Sequence, residues 1–381
     1  MAFAFVPDHR LTHATLFTDG DYAQQRAYFA AHPELAPTPL RRFRALARTL
    51  GIADLRGKDE SARFGLNAFK AAGAMFAIAQ LRSRGALGVN ETLVCASEGN
   101  HGRAVARAAR EVGCEARVYL SATAAEVRVA AIRSEGAVVI QVEGSYDDAL
   151  RAMVVDARAY GWRVISDTAL AGDSVEVPRL IMLGYTRVMD EALSQWEPGP
   201  PPDVIFVPGG VGGLLAAVAA WTTRHCTPRP SIVCVEPASA ACLQFSARDG
   251  RPTTLAGPFE TVMAGLRCGE VSRAAFDTVL HEVNAYVAIE DHWATDAMRH
   301  FAAGAGGDPV VQAGASGAAA LGGLLAAVRD PGVSDLKERL GLGLGSRVLV
   351  LITEGPTDPA LFAAVVGSPT NEHPTKVTRE P

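Results

Sequence analysis

From about Glu91 to Thr168 the chain alternates short apolar, β-branched runs with longer stretches of helical periodicity. Strands are predicted over Thr92–Ala96, Ala116–Leu120, Ala137–Val142 and Arg163–Ser166, with helices near 102–112, 124–134 and 146–160. Parallel strands need a crossover and a helix supplies it, so this rhythm predicts a parallel sheet with helices on its faces. The Pro-rich stretch Glu197-Pro-Gly-Pro-Pro-Pro202 reads as a boundary. Beyond it the rhythm resumes with Asp203–Val207, a glycine turn, a helix, Ser231–Val235 and finally Arg347–Thr353. Two α/β lobes are expected, a smaller one over 85–199 and a larger one built from 1–84 and 200–381. Ser368–Pro381, with three prolines, reads as a frayed tail.

Composition narrows the class. With 381 residues, 49% hydrophobic and 20% charged, the chain is expected to pack as a globular protein, which excludes disorder and coiled coil. Its 36 basic and 41 acidic residues leave a net charge of -5 and no basic field for nucleic acid or an anionic membrane. A small-molecule partner is expected instead. The six cysteines form no C-x-x-C pair and several sit in apolar runs, so they read as free thiols of a reducing compartment. The start lacks a basic n-region, and the most apolar stretch, Ala313–Val328, is broken by glycines before it reaches spanning length. A cytoplasmic location is the expectation.

Candidate chemistry begins with a scarcity. Among the 36 basic residues only Lys58, Lys70, Lys337 and Lys376 are lysines. Lys70 lies in the apolar run Phe64-Gly-Leu-Asn-Ala-Phe-Lys70-Ala-Ala-Gly-Ala with no acid one turn away. Desolvation there is expected to lower its pKa towards the neutral amine that a Schiff base requires, and Ala71, Ala72, Gly73 and Ala74 would let a flat cofactor approach. A snorkelling lysine at the end of a buried helix is the plainer alternative.

A second feature, Val207-Pro-Gly209-Gly210-Val211-Gly212-Gly213, puts four glycines between a strand and a helix, where free N–H groups and the helix N-terminus can hold a phosphate. No Lys-Ser/Thr pair follows, so it is not a P-loop. A nucleotide-binding Rossmann-type protein stays open, because Glu236 ends the next strand about where a ribose-binding acid would lie. The later series Gly341-Leu-Gly-Leu-Gly345 precedes its strand and reads as a turn. The third feature, Ser97-Glu98-Gly99-Asn100-His101-Gly102, converges polar side chains and helix-terminal N–H groups on a site suited to a carboxylate or a phenolic oxygen. A capped βα loop is its plain alternative.

These features, together with Lys58-Asp-Glu-Ser-Ala-Arg-Phe-Gly-Leu-Asn-Ala-Phe-Lys70, Ser166-Asp167-Thr168-Ala169, Gly184-Tyr185, Thr261-Val-Met-Ala-Gly-Leu-Arg-Cys-Gly269 and Thr353-Glu354-Gly355, resemble the fold-type II pyridoxal-5'-phosphate enzymes. Serine and threonine dehydratases, threonine synthase and cysteine synthase belong to that family, and the closest likeness is to its branch that removes ammonia from 2,3-diaminopropionate. The resemblance implies a two-domain α/β fold of the tryptophan synthase β type, with parallel-rich sheets flanked by helices, and a homodimer. It implies pyridoxal 5'-phosphate as cofactor, anchored on Lys70, with Gly209, Gly210, Val211, Gly212 and Gly213 around its phosphate. By the same resemblance Asn100 serves the phenolic oxygen and Thr353 the ring nitrogen, where a neutral hydroxyl suits elimination. Ser97, Gly99 and His101 belong to the loop that receives the substrate carboxylate. Glu98, where those ammonia-lyases carry Asp, and Asp167 are the implied acids, and a β-substituted amino acid the substrate. The products are pyruvate and ammonia; a hydroxyamino-acid dehydratase and a β-replacement synthase are same-fold alternatives.

Other candidates read blandly. His9 with His13, and His292 with His300, lack the partners of a metal site. Ser316 reads as a helix start, Asp59, Glu60 and Ser61 as caps, and Arg41, Arg42 and Arg44 as a solvated face.

Overall fold

The computed structural model of the chain describes residues 3–5, 16–97, 99–144, 146–169, 172–196 and 199–367, leaving out the side chains of 146 and 147. His9, His13 and the Ser368–Pro381 tail lie outside these residues, and so does Glu98. The described strands are β1 (Phe3–Phe5), β2 (Leu40–Arg42), β3 (Asp54–Asp59), β4 (Thr92–Ala96), β5 (Glu115–Ser121), β6 (Val138–Val142), β7 (Arg163–Val164), β8 (Val204–Pro208), β9 (Ser231–Pro237), β10 (Ala285–Ile289) and β11 (Arg347–Ile352). They form two sheets. One has the order β6-β5-β4-β7 and is parallel throughout; the other runs β1-β10-β9-β8-β11-β3-β2, parallel except for its antiparallel edge strands β1 and β2.

The predicted βαβ rhythm thus appears as a parallel four-stranded sheet, with helices at Asn100–Glu111, Glu126–Ser134 and Tyr146–Tyr160. Strand β7 stops two residues earlier than the pattern predicts, although Ile165 still donates its N–H to the Val94 carbonyl at 2.8 Å. In the larger sheet both faces are covered. Val204, Phe206, Val233, Val235, Val348 and Val350 enter one core, while Ile205, Val207, Ile232, Cys234, Leu349 and Leu351 enter the other. Period-two alternation with two apolar faces is what a strand packed by helices on both sides requires.

The apolar stretch broken by glycines becomes the buried helix Ala315–Arg329, which lies across this sheet. An added Cβ at Gly317 or Gly323 would meet the Glu354 backbone or the Val235 side chain, so these glycines set how closely the helix approaches. No described helix is long and apolar enough to cross a membrane.

Strand β3 escaped the hydrophobic pattern because Asp54-Leu-Arg-Gly-Lys-Asp59 is mostly charged. Its charges are paired internally. Lys58 is fully buried and donates to the Thr38 carbonyl and, at 2.6 Å, to Glu191, while Arg63 reaches Glu60 at 2.6 Å and Glu191 at 2.7 Å. Glu60 is therefore part of a buried ionic cluster, not the cap that the charged turn suggested.

Candidate active site

The loops after β4, β7, β8 and β11 all leave the C-terminal ends of their strands, the edge at which parallel α/β sheets gather ligand-binding groups. Asp167 after β7 and Thr353 after β11 contact the start of the helix Lys70–Ser83, and His101 after β4 and Gly213 after β8 lie near Asp167. The segment before that helix is a short 3-10 turn, Arg63–Gly65, followed by an irregular stretch, not α-helix. Phe64, Gly65 and Asn67 adopt positive φ, and the chain is tied to the end of β11 by Phe69 N to Thr353 O at 3.1 Å and Gly355 N to Asn67 O at 2.9 Å. These ties fix Lys70 as the first residue of its helix.

Residues 71–74 are buried by protein rather than left for a cofactor. An added Cβ at Gly184 would stand 2.7 Å from the Ala72 carbonyl, and Gly73 faces Tyr185 and Ile181. Small residues at both positions let the Lys70 helix and the helix Glu176–Tyr185 cross in contact, which corrects the expected role of this stretch.

Lys70 has an acidic partner that no local window could reveal. Its Nζ donates to Asp167 Oδ2 across 97 positions, with the two side chains 23% and 17% exposed. Burial pulls the ammonium pKa down, but the charge and hydrogen bond of Asp167 outweigh it, so the pKa lies above the ordinary lysine value. The expected lowering by desolvation is overturned for the free amine. Asp167 moves the opposite way: burial raises its pKa, yet the charge and hydrogen bond of Lys70, with His101 nearby, hold the carboxyl below the usual carboxylate range.

His101 sits in the first turn of the helix Asn100–Glu111 with its ring buried. Its Nε2 lies 2.9 Å from the Ile165 carbonyl and its Nδ1 lies 3.9 Å from Asp167 Oδ2. Asn100 Nδ2 donates to the buried carboxylate of Glu354, next to Thr353. Thr353 is buried too, its hydroxyl 3.4 Å from the Ser316 carbonyl. Ser97 and Gly99 form the turn between β4 and that helix, Gly99 N donating to Ser97 Oγ at 3.3 Å.

The glycine loop follows β8. Gly210 and Gly212 have φ of 69° and 94°, and the helix Gly213–His225 starts directly behind them, so its first N–H groups have no partner within the helix. An added Cβ at Gly209 would lie 2.7 Å from Glu236 Cγ and 3.0 Å from Cys234 Sγ. Ser272 staples this loop to the segment after Asp167, donating its N–H to Val211 O at 2.9 Å and accepting from Ala169 N through Oγ at 3.1 Å. Two buried hydroxyls, Thr168 Oγ1 and Tyr185 Oη, have no hydrogen-bond partner. The Tyr185 ring borders Gly213, and Tyr185 lies close enough to Lys70 to affect its charge. A loop whose one side chain is Val211, a helix N-terminus and orphaned hydroxyl donors fit a phosphate, and the part-buried Lys70 near them fits the aldehyde of the same cofactor.

The nucleotide alternative loses its acid here. Both oxygens of Glu236 accept backbone N–H groups, from Leu243 and Gln244 at 2.8 Å each, so the side chain caps the helix Cys242–Asp249, and it is fully buried where a ribose cannot reach it. Ser316 is likewise structural, accepting from Gly265 N at 2.9 Å at the start of its helix.

Comparison with known proteins decides between the alternatives. A family model described as pyridoxal-phosphate dependent enzyme matches residues 32–354. The chain belongs to this pyridoxal-phosphate dependent family. It is 35% identical over 368 residues to the diaminopropionate ammonia-lyase of Escherichia coli K12, covering 91% of this chain and 92% of that protein. A Salmonella typhimurium enzyme of the same name is 34% identical over 89% of the chain and 90% of its own length. Among solved structures of the family, the Escherichia coli enzyme in complex with an aminoacrylate-PLP azomethine reaction intermediate superposes with a TM-score of 0.87 at 33% identity over 96% of each chain. The family's two-sheet α/β fold and its pyridoxal-phosphate cofactor are therefore those of this chain, as the motifs implied. Tyr185, Thr168, Ser272 and Glu354 are site residues to which sequence reasoning gave no role. Three of them, Thr168, Tyr185 and Glu354, stood inside the motifs that carried the resemblance.

Proposed function

We propose that this protein is a pyridoxal-phosphate-dependent ammonia-lyase, eliminating ammonia from 2,3-diaminopropionate or a close β-substituted amino acid to leave pyruvate and a second ammonia. The observation that carries the reading is the carboxylate of Asp167 held against Lys70 in the cleft. A buried acid beside the anchoring lysine suits a substrate that brings a second amine. Lys70 is the covalent anchor, the Gly209–Gly213 loop with Val211 holds the phosphate, Asn100 holds the phenolic oxygen and Thr353 faces the ring nitrogen. Ser97, Gly99 and His101 lie in the turn that receives the substrate carboxylate.

When bound, the cofactor supplies an electron sink that weakens the Cα–H bond of an amino acid. The residues handle the protons. Lys70 takes the α-proton as a free amine, and Glu98 is the second base proposed for it. Asp167 keeps the β-nitrogen protonated, so that it leaves as neutral ammonia instead of an amide anion. Glu354 orients Asn100, since the amide that donates one hydrogen to this carboxylate presents its other hydrogen elsewhere. The lobes divide near residues 85 and 199, and the assembly is a cytoplasmic homodimer.

The test is a panel of D- and L-amino acids with amino, hydroxyl, acetoxy or phosphate groups at Cβ, with ammonia and keto acid both measured. Diaminopropionate should be the preferred substrate. Preference for serine or threonine would make the enzyme a dehydratase, and retention of the amino group in a new amino acid would make it a synthase.

A further inference from the structure

The buried ring of His101 has one nitrogen that the fold leaves without a partner. Its Nε2 faces the Ile165 carbonyl at 2.9 Å. A carbonyl only accepts, so Nε2 carries a hydrogen and a neutral ring presents a bare lone pair at Nδ1. Among the described residues that buried Nδ1 has no hydrogen-bond partner, and it looks across 3.9 Å at Asp167 Oδ2, the same oxygen that Lys70 contacts. While Lys70 is an ammonium, the carboxylate has its counter-charge and the ring can stay neutral. Burial and the Lys70 charge both push the His101 pKa down, against the pull of Asp167.

The balance changes once Lys70 is covalently engaged. The free ammonium that balanced the buried carboxylate is then gone, and a bare nitrogen remains 3.9 Å from it, an arrangement that favours uptake of a proton. Among the described residues, the other titratable groups around Asp167, namely Cys95, Tyr185 and Cys268, are kept protonated by burial and bring no positive charge.

We propose that His101 is a positioning residue for the proton: its Nδ1 stores one proton against Asp167 while Lys70 is engaged, and that proton goes through Asp167 to the departing β-nitrogen. The proposal rests on the ammonia-lyase reading of Asp167. The proton passes from Nδ1 to Asp167 and then to the β-amine, and the Cβ–N bond breaks with its electron pair on nitrogen. The Cα–H electron pair becomes the second Cα–Cβ bond. The α-proton collected by Lys70 returns to the Asp167–His101 pair, so no outside acid is consumed.

His101→Gln separates storage from architecture, because its amide can still donate to the Ile165 carbonyl but offers no titratable nitrogen at the Nδ1 position. The readout is the ratio of kcat on 2,3-diaminopropionate to kcat on β-chloroalanine, whose chloride departs without a proton. The ratio should fall about 10-fold or more, less than the roughly 10^2- to 10^4-fold effect of a general acid removed outright, because Asp167 itself remains. A purely structural role would lower both rates together, and a ratio unchanged within about twofold overturns the proposal. Asp167→Asn distinguishes the two failures. If it collapses the ratio and His101→Gln does not, only the role of His101 is lost; if neither moves it, the reading of Asp167 is lost as well. A second readout needs neither turnover nor a variant: nitrogen NMR of histidine-labelled wild-type protein should show His101 Nδ1 gaining a proton on loading with pyridoxal phosphate. A nitrogen that stays bare overturns the proposal.

Discussion

Single side chains set the chemistry of the cleft by the company they keep. Lys70 is held as an ammonium in the free protein by Asp167, and replacing Lys70 should remove both the proposed covalent anchor and the proposed base. Lys70→Ala should lose the cofactor's visible absorption on gel filtration, and turnover should fall by about 10^3-fold or more. Glu236 shows the same dependence on surroundings outside the cleft. Burial pushes its pKa up to about 8, against the pull of the two backbone N–H groups it caps. A folded-state pKa above the unfolded value means that this group's stability contribution is complete below about pH 4.5 and is lost as pH rises towards 8. Thermal midpoints of Glu236→Gln should therefore vary less between pH 5 and 8 than those of the wild-type chain. An equal slope in both proteins would show that the carboxyl is already ionised throughout that range.

Elements carry these residues to one place, and here the glycine loop is the most demanding. Gly209→Ala would drive a methyl group against Glu236 and Cys234, both buried in the floor of the loop. The loop would have to shift, so pyridoxal-phosphate affinity should fall roughly tenfold, the equivalent of about 1.4 kcal/mol, as read by absorbance titration. Much of this level was legible in the chain itself. The parallel sheet, the strand-to-helix glycine turn and the cleft lysine came from hydrophobic rhythm, glycine placement and the scarcity of lysine. Strand β3 was not legible, because its charges are neutralised by residues such as Glu191, more than a hundred positions away. Asp167 could be picked out only by family resemblance, since nothing near it in sequence points to Lys70. Tyr185 and Glu354 gain their roles from packing that no periodicity encodes.

Across the whole molecule, buried charge ties distant parts of the chain together. Glu191 accepts from Lys58 and Arg63, and Arg187 also reaches it at 2.6 Å. Glu191→Ala would leave Lys58 and Arg63 buried with less than their balancing charge, and should destabilise the fold by about 3–5 kcal/mol, measured by denaturant unfolding. A loss under about 1 kcal/mol would mean that Glu60 alone balances both cations.

Ser272 has a reach of another kind. By gripping Val211 with its N–H and Ala169 with its hydroxyl, it ties the proposed phosphate cradle to the strip of chain bearing Asp167. An occupant that fills the cradle thereby steadies an acid it does not touch. Pyridoxal without its phosphate could still react with Lys70, but it would leave that acid slack, and the enzyme would feel the missing ester most in the expulsion of the leaving group.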